Sequence, residues 1–176
     1  MPTYRAHFRG PLDVPPGACA CLAALLLLPV AASVHAEPLL LAQFLSFDTG
    51  SVPHSVAIAD VDADGRLDLA VANSGSHTVT VLLGNGDGTF GSRADFGAGS
   101  YPRSVAIADL NADGQADLAV ANSGSHTVTV LIGNGDGTFG ATSDYDTGMD
   151  PYSVAIADLN ADGRPDLAVA NYSSHT

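Results

Sequence analysis

Ser55-Val-Ala-Ile-Ala-Asp60-Val-Asp62-Ala-Asp64-Gly65-Arg66-Leu67-Asp68-Leu-Ala-Val-Ala-Asn73 recurs, lightly substituted, from Ser104 and again from Ser153, 49 residues apart each time. Residues 55–103 and 104–152 agree at 35 of 49 positions, and residues 153–176 match the second copy at 20 of 24. A fixed period of this length marks an array of one supersecondary unit, in which each copy buries its apolar face against its neighbours. The third copy runs only to Thr176, so the expectation is a piece of a longer array. Residues 37–176 expressed alone are then expected to be poorly stable or to associate through unpaired strand edges.

Each copy reads as four short strands. Residues 55–59 alternate, with Val56 and Ile58 on one face. Residues 68–72 alternate with Leu69 and Val71 taken as inward, and residues 78–83 carry Val79, Val81 and Leu83. Residues 90–96 are the most polar and read as an edge strand. Period-two alternation of β-branched residues argues for strands, and no window carries helical spacing over a useful length. The intervening Asn73-Ser74-Gly75-Ser76 and Gly84-Asn85-Gly86-Asp87-Gly88 are turn chemistry. Four antiparallel strands per 49 residues fits a propeller blade. The fold class is therefore all-β, a partial β-propeller built from four-stranded repeats. Phe47 and Pro53 align one period before Phe96 and Pro102, so residues 44–54 read as the end of a preceding blade.

The acidic loop carries the chemistry. Asp60, Asp62, Asp64 and Asp68 stand at loop positions 1, 3, 5 and 9, Gly65 at position 6 permits a positive φ, and the carbonyl of Arg66 at position 7 supplies a further oxygen. The second loop offers Asp109, Asn111, Asp113, the carbonyl of Gln115 and Asp117. The third offers Asp158, Asn160, Asp162, the carbonyl of Arg164 and Asp166. An all-oxygen set in a short flexible loop suits calcium rather than zinc or magnesium. Valines 71, 120 and 169 fill position 12, where an EF-hand needs a bidentate Glu, so this is a different loop. Three sites are expected, of extracellular affinity on the order of 10⁻⁴–10⁻³ M.

At these residues the chain resembles the FG-GAP/VCBS repeat family, known from the propeller heads of integrin α subunits. The matching elements are Phe90-Gly91, Phe139-Gly140, the Ser-Val-Ala-Ile-Ala-Asp strand and the acidic loop, over about residues 44–176. The resemblance implies a β-propeller with calcium held in hairpin loops on one face, serving adhesion or binding. The Gly-Ala-Pro of the integrin form is replaced by Val-Ala-Asn at residues 71–73, 120–122 and 169–171. That substitution places the chain nearer the VCBS branch, away from integrin ligand specificity.

The address is read from the first 36 residues. Arg5 and Arg9 precede an apolar run from Cys19 to Ala32, and Val34-His35-Ala36 offers a cleavage site, so residues 1–36 are expected to be an export signal. The run is too short to span a bilayer and contains Pro29. Residues 37–176 then hold no Cys, four Arg, no Lys and 18 acids, a formal charge of −14. Ten of those acids lie in the three loops. Such a surface excludes nucleic acid and anionic membranes as partners, and a chain exported without disulfides needs another staple, for which a metal is the candidate. The partner expected is an extracellular protein or a glycan, and the location secreted, periplasmic or at the cell surface. No catalytic site is expected, because nearly every polar group is repeated whereas catalysis needs unlike residues converging once. The alternative is the non-catalytic propeller of a larger secreted enzyme. Three secondary candidates complete the sequence reading. His77, His126 and His175 recur and either line a rim or open the third strand. Asn85-Gly86-Asp87-Gly88 is either a second ion site or a hairpin turn, with the turn preferred. Tyr101, Tyr145, Tyr152 and Tyr172 read as scattered packing residues.

Overall fold

A computed structural model describes residues 45–176, apart from the side chain of Ala141. Ten strands follow one another: β1 Pro53–Ala59, β2 Asp68–Asn73, β3 Thr78–Gly84, β4 Phe90–Gly97, β5 Pro102–Ala108, β6 Asp117–Asn122, β7 Thr127–Gly133, β8 Phe139–Asp146, β9 Pro151–Ala157 and β10 Asp166–Asn171. They form two four-stranded antiparallel sheets, β1-β2-β3-β4 and β5-β6-β7-β8, and a two-stranded sheet of β9 and β10. Among the described residues the fold is all-β, two complete blades and the first two strands of a third, without closure into a ring. None of these residues forms a helix long and apolar enough to cross a membrane. The expected signal, residues 1–36, lies outside the described residues, as does residue 44.

Successive sheets stack: β5 lies against β1 and β2, and β9 against β5 and β6. This arrangement corrects the assignment of one inward face per strand. Ala70 pairs with Val81 and Ala72 with Val79, whereas Leu69 pairs with Leu82 and Val71 with Thr80. Val79 and Val81 therefore share a face with Ala70 and Ala72, opposite to Leu69 and Val71. Both faces of β6 are dry because the middle sheet lies between the other two. Ala70, Ala72, Val79 and Val81 of the first blade pack against Val105, Leu118, Val120 and Leu131 of the second. The second blade's Ala119, Ala121, Val128 and Val130 meet Val154 of the third. Alanine on one face lets the bulkier face of the next blade approach closely, so large and small residues interdigitate.

Equivalent positions report the stacking directly. Val56 is 57% exposed, whereas Val105 and Val154, each facing an earlier blade, are 6% exposed. Val61 is 3% exposed beneath the second blade, and its counterpart Leu159 is 67% exposed. Phe96 meets Phe139 edge-to-face at 5.0 Å across the junction. Phe47 meets Phe90 in the same geometry at 4.8 Å, although residues 45–49 form no strand. The outer strand β4 is polar and largely exposed, as an edge strand should be.

Candidate metal centre

Each acidic loop joins the innermost strand of a blade to the next, and its shape follows from backbone N–H groups seeking acceptors. In the first loop Asp60 Oδ1 accepts from the Asp64 N–H at 3.1 Å and its Oδ2 from the Gly65 N–H at 2.9 Å. Asp62 Oδ1 accepts a second bond from the Asp64 N–H at 3.2 Å. The chain turns through two left-handed residues, Ala63 at φ 59° and Gly65 at φ 84°. A Cβ on Gly65 would meet nothing within 4 Å, so glycine serves the dihedral there and not the space.

Asp68 anchors the loop to the sheet. It is fully buried, and its Oδ2 accepts from the Val61 N–H at 2.7 Å while Oδ1 accepts from the Gly84 N–H at 2.7 Å. One carboxylate therefore holds the start of the loop and the end of β3 together. Gly84 is compelled by this closeness, since a Cβ would stand 2.1 Å from the Leu67 carbonyl oxygen. Each carboxylate oxygen retains a lone pair beyond the N–H that it accepts.

Oxygens of Asp60, Asp62 and Asp68 lie within 4.8 Å of one another. Asp64 does not join them. Its Oδ1 accepts from the Arg66 N–H at 2.8 Å, and its Oδ2 takes the Arg66 guanidinium. The charges read the same way. Burial first, then the neighbouring carboxylates of Asp64, Asp68 and Asp60, push the Asp62 carboxyl above its ordinary range. The Arg66 guanidinium holds Asp64 below it. Three converging carboxylates of hard oxygen, one buried and already fixed by two N–H groups, suit a divalent calcium ion in donor type and charge.

The other loops repeat the scaffold. Asp109 accepts from the N–H groups of Asp113 and Gly114, Asn111 from Asp113, and Asp113 from Gln115. Buried Asp117 accepts from Leu110 and Gly133 at 2.8 Å each. In the third loop Asp158 accepts from Asp162 and Gly163, Asn160 from Asp162, Asp162 from Arg164, and Asp166 from Leu159. The left-handed Ala112 and Ala161 recur with Gly114 and Gly163. The glycine of this turn was visible in the sequence, whereas the left-handed alanine carries no compositional signal.

The secondary candidates resolve differently. His77 and His126 sit at φ 58° and 59°, in the turn before the third strand. His77 Nδ1 accepts from the Tyr101 N–H at 3.0 Å, and His126 Nδ1 from the Asp150 N–H at 3.0 Å. Their carbonyls accept from Ala98 and Thr147. Each imidazole fastens the chain leaving one blade to that blade's own turn. Asn85 to Thr89 closes on itself as a hairpin turn, with Asp87 Oδ1 accepting both the N–H and the hydroxyl of Thr89 and held below its ordinary range by them. A polar chain that the sequence did not suggest runs from buried Asn73 Nδ2 to buried Thr80 Oγ1 at 2.8 Å and on to the Oδ1 of exposed Asp95 at 2.6 Å. It recurs as Asn122, Thr129 and Asp144.

A family model described as an FG-GAP-like repeat matches residues 60–120 and again residues 109–169. Both matches open on the first aspartate of an acidic loop. No curated protein matches the chain.

Proposed function

The chain belongs to the FG-GAP-like repeat family, and on that premise we propose that it is an exported, calcium-binding β-propeller module acting in adhesion or ligand binding. The observation that carries this reading is the convergence of Asp60, Asp62 and Asp68 oxygens within 4.8 Å in a loop whose hydrogen-bonded frame recurs in the other two repeats. Bound calcium would supply positive charge among these carboxylates and fix the loop. The protein's own residues do the rest. Asp60 and Asp68, with Asp109, Asp117, Asp158 and Asp166 in the later loops, would hold the ion. Asp62, Asn111 and Asn160 complete the oxygen set, joined by the carbonyls of Arg66, Gln115 and Arg164. Asp64, Asp113 and Asp162, each accepting the N–H two residues on, would add a further carboxylate to each set.

The ion's role in this reading is structural. Asp68 and Asp117 couple their loops to the ends of β3 and β7, so neutralising the carboxylates stiffens the hairpin on which the opposite rim is carried. Export and a cell-surface or periplasmic location go with it, because sites of this affinity fill only where calcium is at about 10⁻⁴–10⁻³ M. Equilibrium dialysis of the full chain against millimolar calcium tests the proposal. Three ions per chain are expected, and none bound would overturn it.

A further inference from the structure

On the rim away from the acidic loops the repeats stop agreeing. The residue before each Ser-Val-Ala-Ile segment is His54, then Arg103, then Tyr152. These are three chemistries at one structural position of a near-identical array. They are neighbours because β1, β5 and β9 lie side by side. Arg103 Nη1 is 2.7 Å from His54 Nε2, and its guanidinium carbon stands 5.1 Å from the centre of the Tyr152 ring. That ring is in turn 5.4 Å from the Tyr172 ring, tilted by 42°. Four side chains from three sheets form one strip, about 20 Å along the strand from Asp60. Two of the four tyrosines read from the sequence as scattered packing, Tyr152 and Tyr172, meet here and are 48% and 71% exposed.

Charge also marks this strip. Arg66 and Arg93 are paired with Asp64 and Asp95. Among the described residues Arg103 and Arg164 make no ion pair, and of the two Arg103 stands away from the acidic loops, in a chain of formal charge −13. Its Nε donates to Ser123 Oγ at 3.2 Å, and the Tyr152 ring supports its plane. The guanidinium is held in place by neutral partners, with donors left over. A pre-positioned cation of this kind takes a carboxylate at reduced entropic cost. Beside it, two exposed and mutually tilted phenol rings present flat apolar faces with polar tips. That combination matches a ligand with one carboxylate on a body of flat C–H faces and hydroxyls, which is an acidic sugar. A polyanion is a worse match, because the net charge repels it.

We propose that the strip His54–Arg103–Tyr152–Tyr172 binds a saccharide bearing a carboxylate, with the carboxylate on Arg103 and adjoining sugar rings on Tyr152 and Tyr172. The proposal rests on the binding-module reading above, but the strip and the acidic loops are measured separately. The experiment is a nuclear magnetic resonance titration of the full chain with 3′-sialyllactose, and with lactose as the uncharged control. Amide shifts at Arg103, Tyr152 and Tyr172 are expected with the acidic sugar and not with lactose. Arg103→Gln should weaken binding at least tenfold, Arg103→Lys should recover part of it, and Tyr172→Ala should weaken it severalfold. The variants' melting curves should match the parent, since these side chains are at the surface. Absence of shifts at the strip, or unchanged affinity in Arg103→Gln, overturns the proposal. Calcium dialysis of the same samples keeps the two readings apart: three ions bound without sugar binding sinks the strip alone, and sugar binding without calcium sinks the metal reading alone.

Discussion

At the scale of single residues, the aspartates of one loop have unequal jobs. Asp117 is fully buried and satisfies two backbone N–H groups, whereas Asp113 is exposed and bonds within its own loop. Truncating Asp117 orphans the N–H groups of Leu110 and Gly133, and each buried unsatisfied donor costs about 1–3 kcal/mol. Asp117→Ala is therefore expected to lower stability by roughly 2–4 kcal/mol even in chelator, and Asp113→Ala by less than about 1 kcal/mol. Urea denaturation of the two variants without calcium checks this; equal losses would mean that the buried carboxylate is not the brace. The sequence showed the spacing of these acids but not the division of labour. Which aspartate is buried depends on the Gly84 or Gly133 N–H, sixteen residues further along and in register only after the sheet forms.

At the scale of elements, strand positions were legible and strand faces were not. The predicted segments and the observed β1 to β4 differ by a residue or two at their ends, because alternation and the Asn-Gly and Asp-Gly turns are local signals. Face assignment failed because alternation separates a dry face from a wet one, and β2 and β6 have no wet face. The histidines failed for a related reason. A recurrent Ser-His-Thr shows a conserved spacing between copies, yet the acceptor role of His126 depends on Asp150, 24 residues away. Removing that ring should loosen the turn between β6 and β7. His126→Ala loses a hydrogen bond and places alanine at φ 59°, and is expected to cost about 1–2 kcal/mol. Asn tolerates the left-handed region better and should recover part of this. Thermal melts of both variants decide it, and an Ala variant as stable as the parent would show the clamp to be idle.

At the scale of the whole molecule, the junctions between blades bury much of the apolar core. Val56 and Val105 are the same residue in the same strand position, 57% and 6% exposed. Val105→Ala should cost about 1.5–3 kcal/mol by transfer and cavity terms, and Val56→Ala no more than about 0.5 kcal/mol. Equal losses in urea would contradict the stacked arrangement of sheets. The same architecture gives the proposed metal its place in a chain whose residues 37–176 contain no cysteine. Each loop closes the inner hairpin against which the next blade packs, so disorder in a loop weakens a junction as well as a turn. The most direct measurement is the thermal melt of the full chain in millimolar calcium, in chelator, and in chelator with excess magnesium. The melting temperature is expected to rise with calcium concentration by mass action and not to be restored by magnesium. Coincident curves in calcium and in chelator would contradict it, and would leave the three acidic loops as ordinary hydrogen-bonded turns.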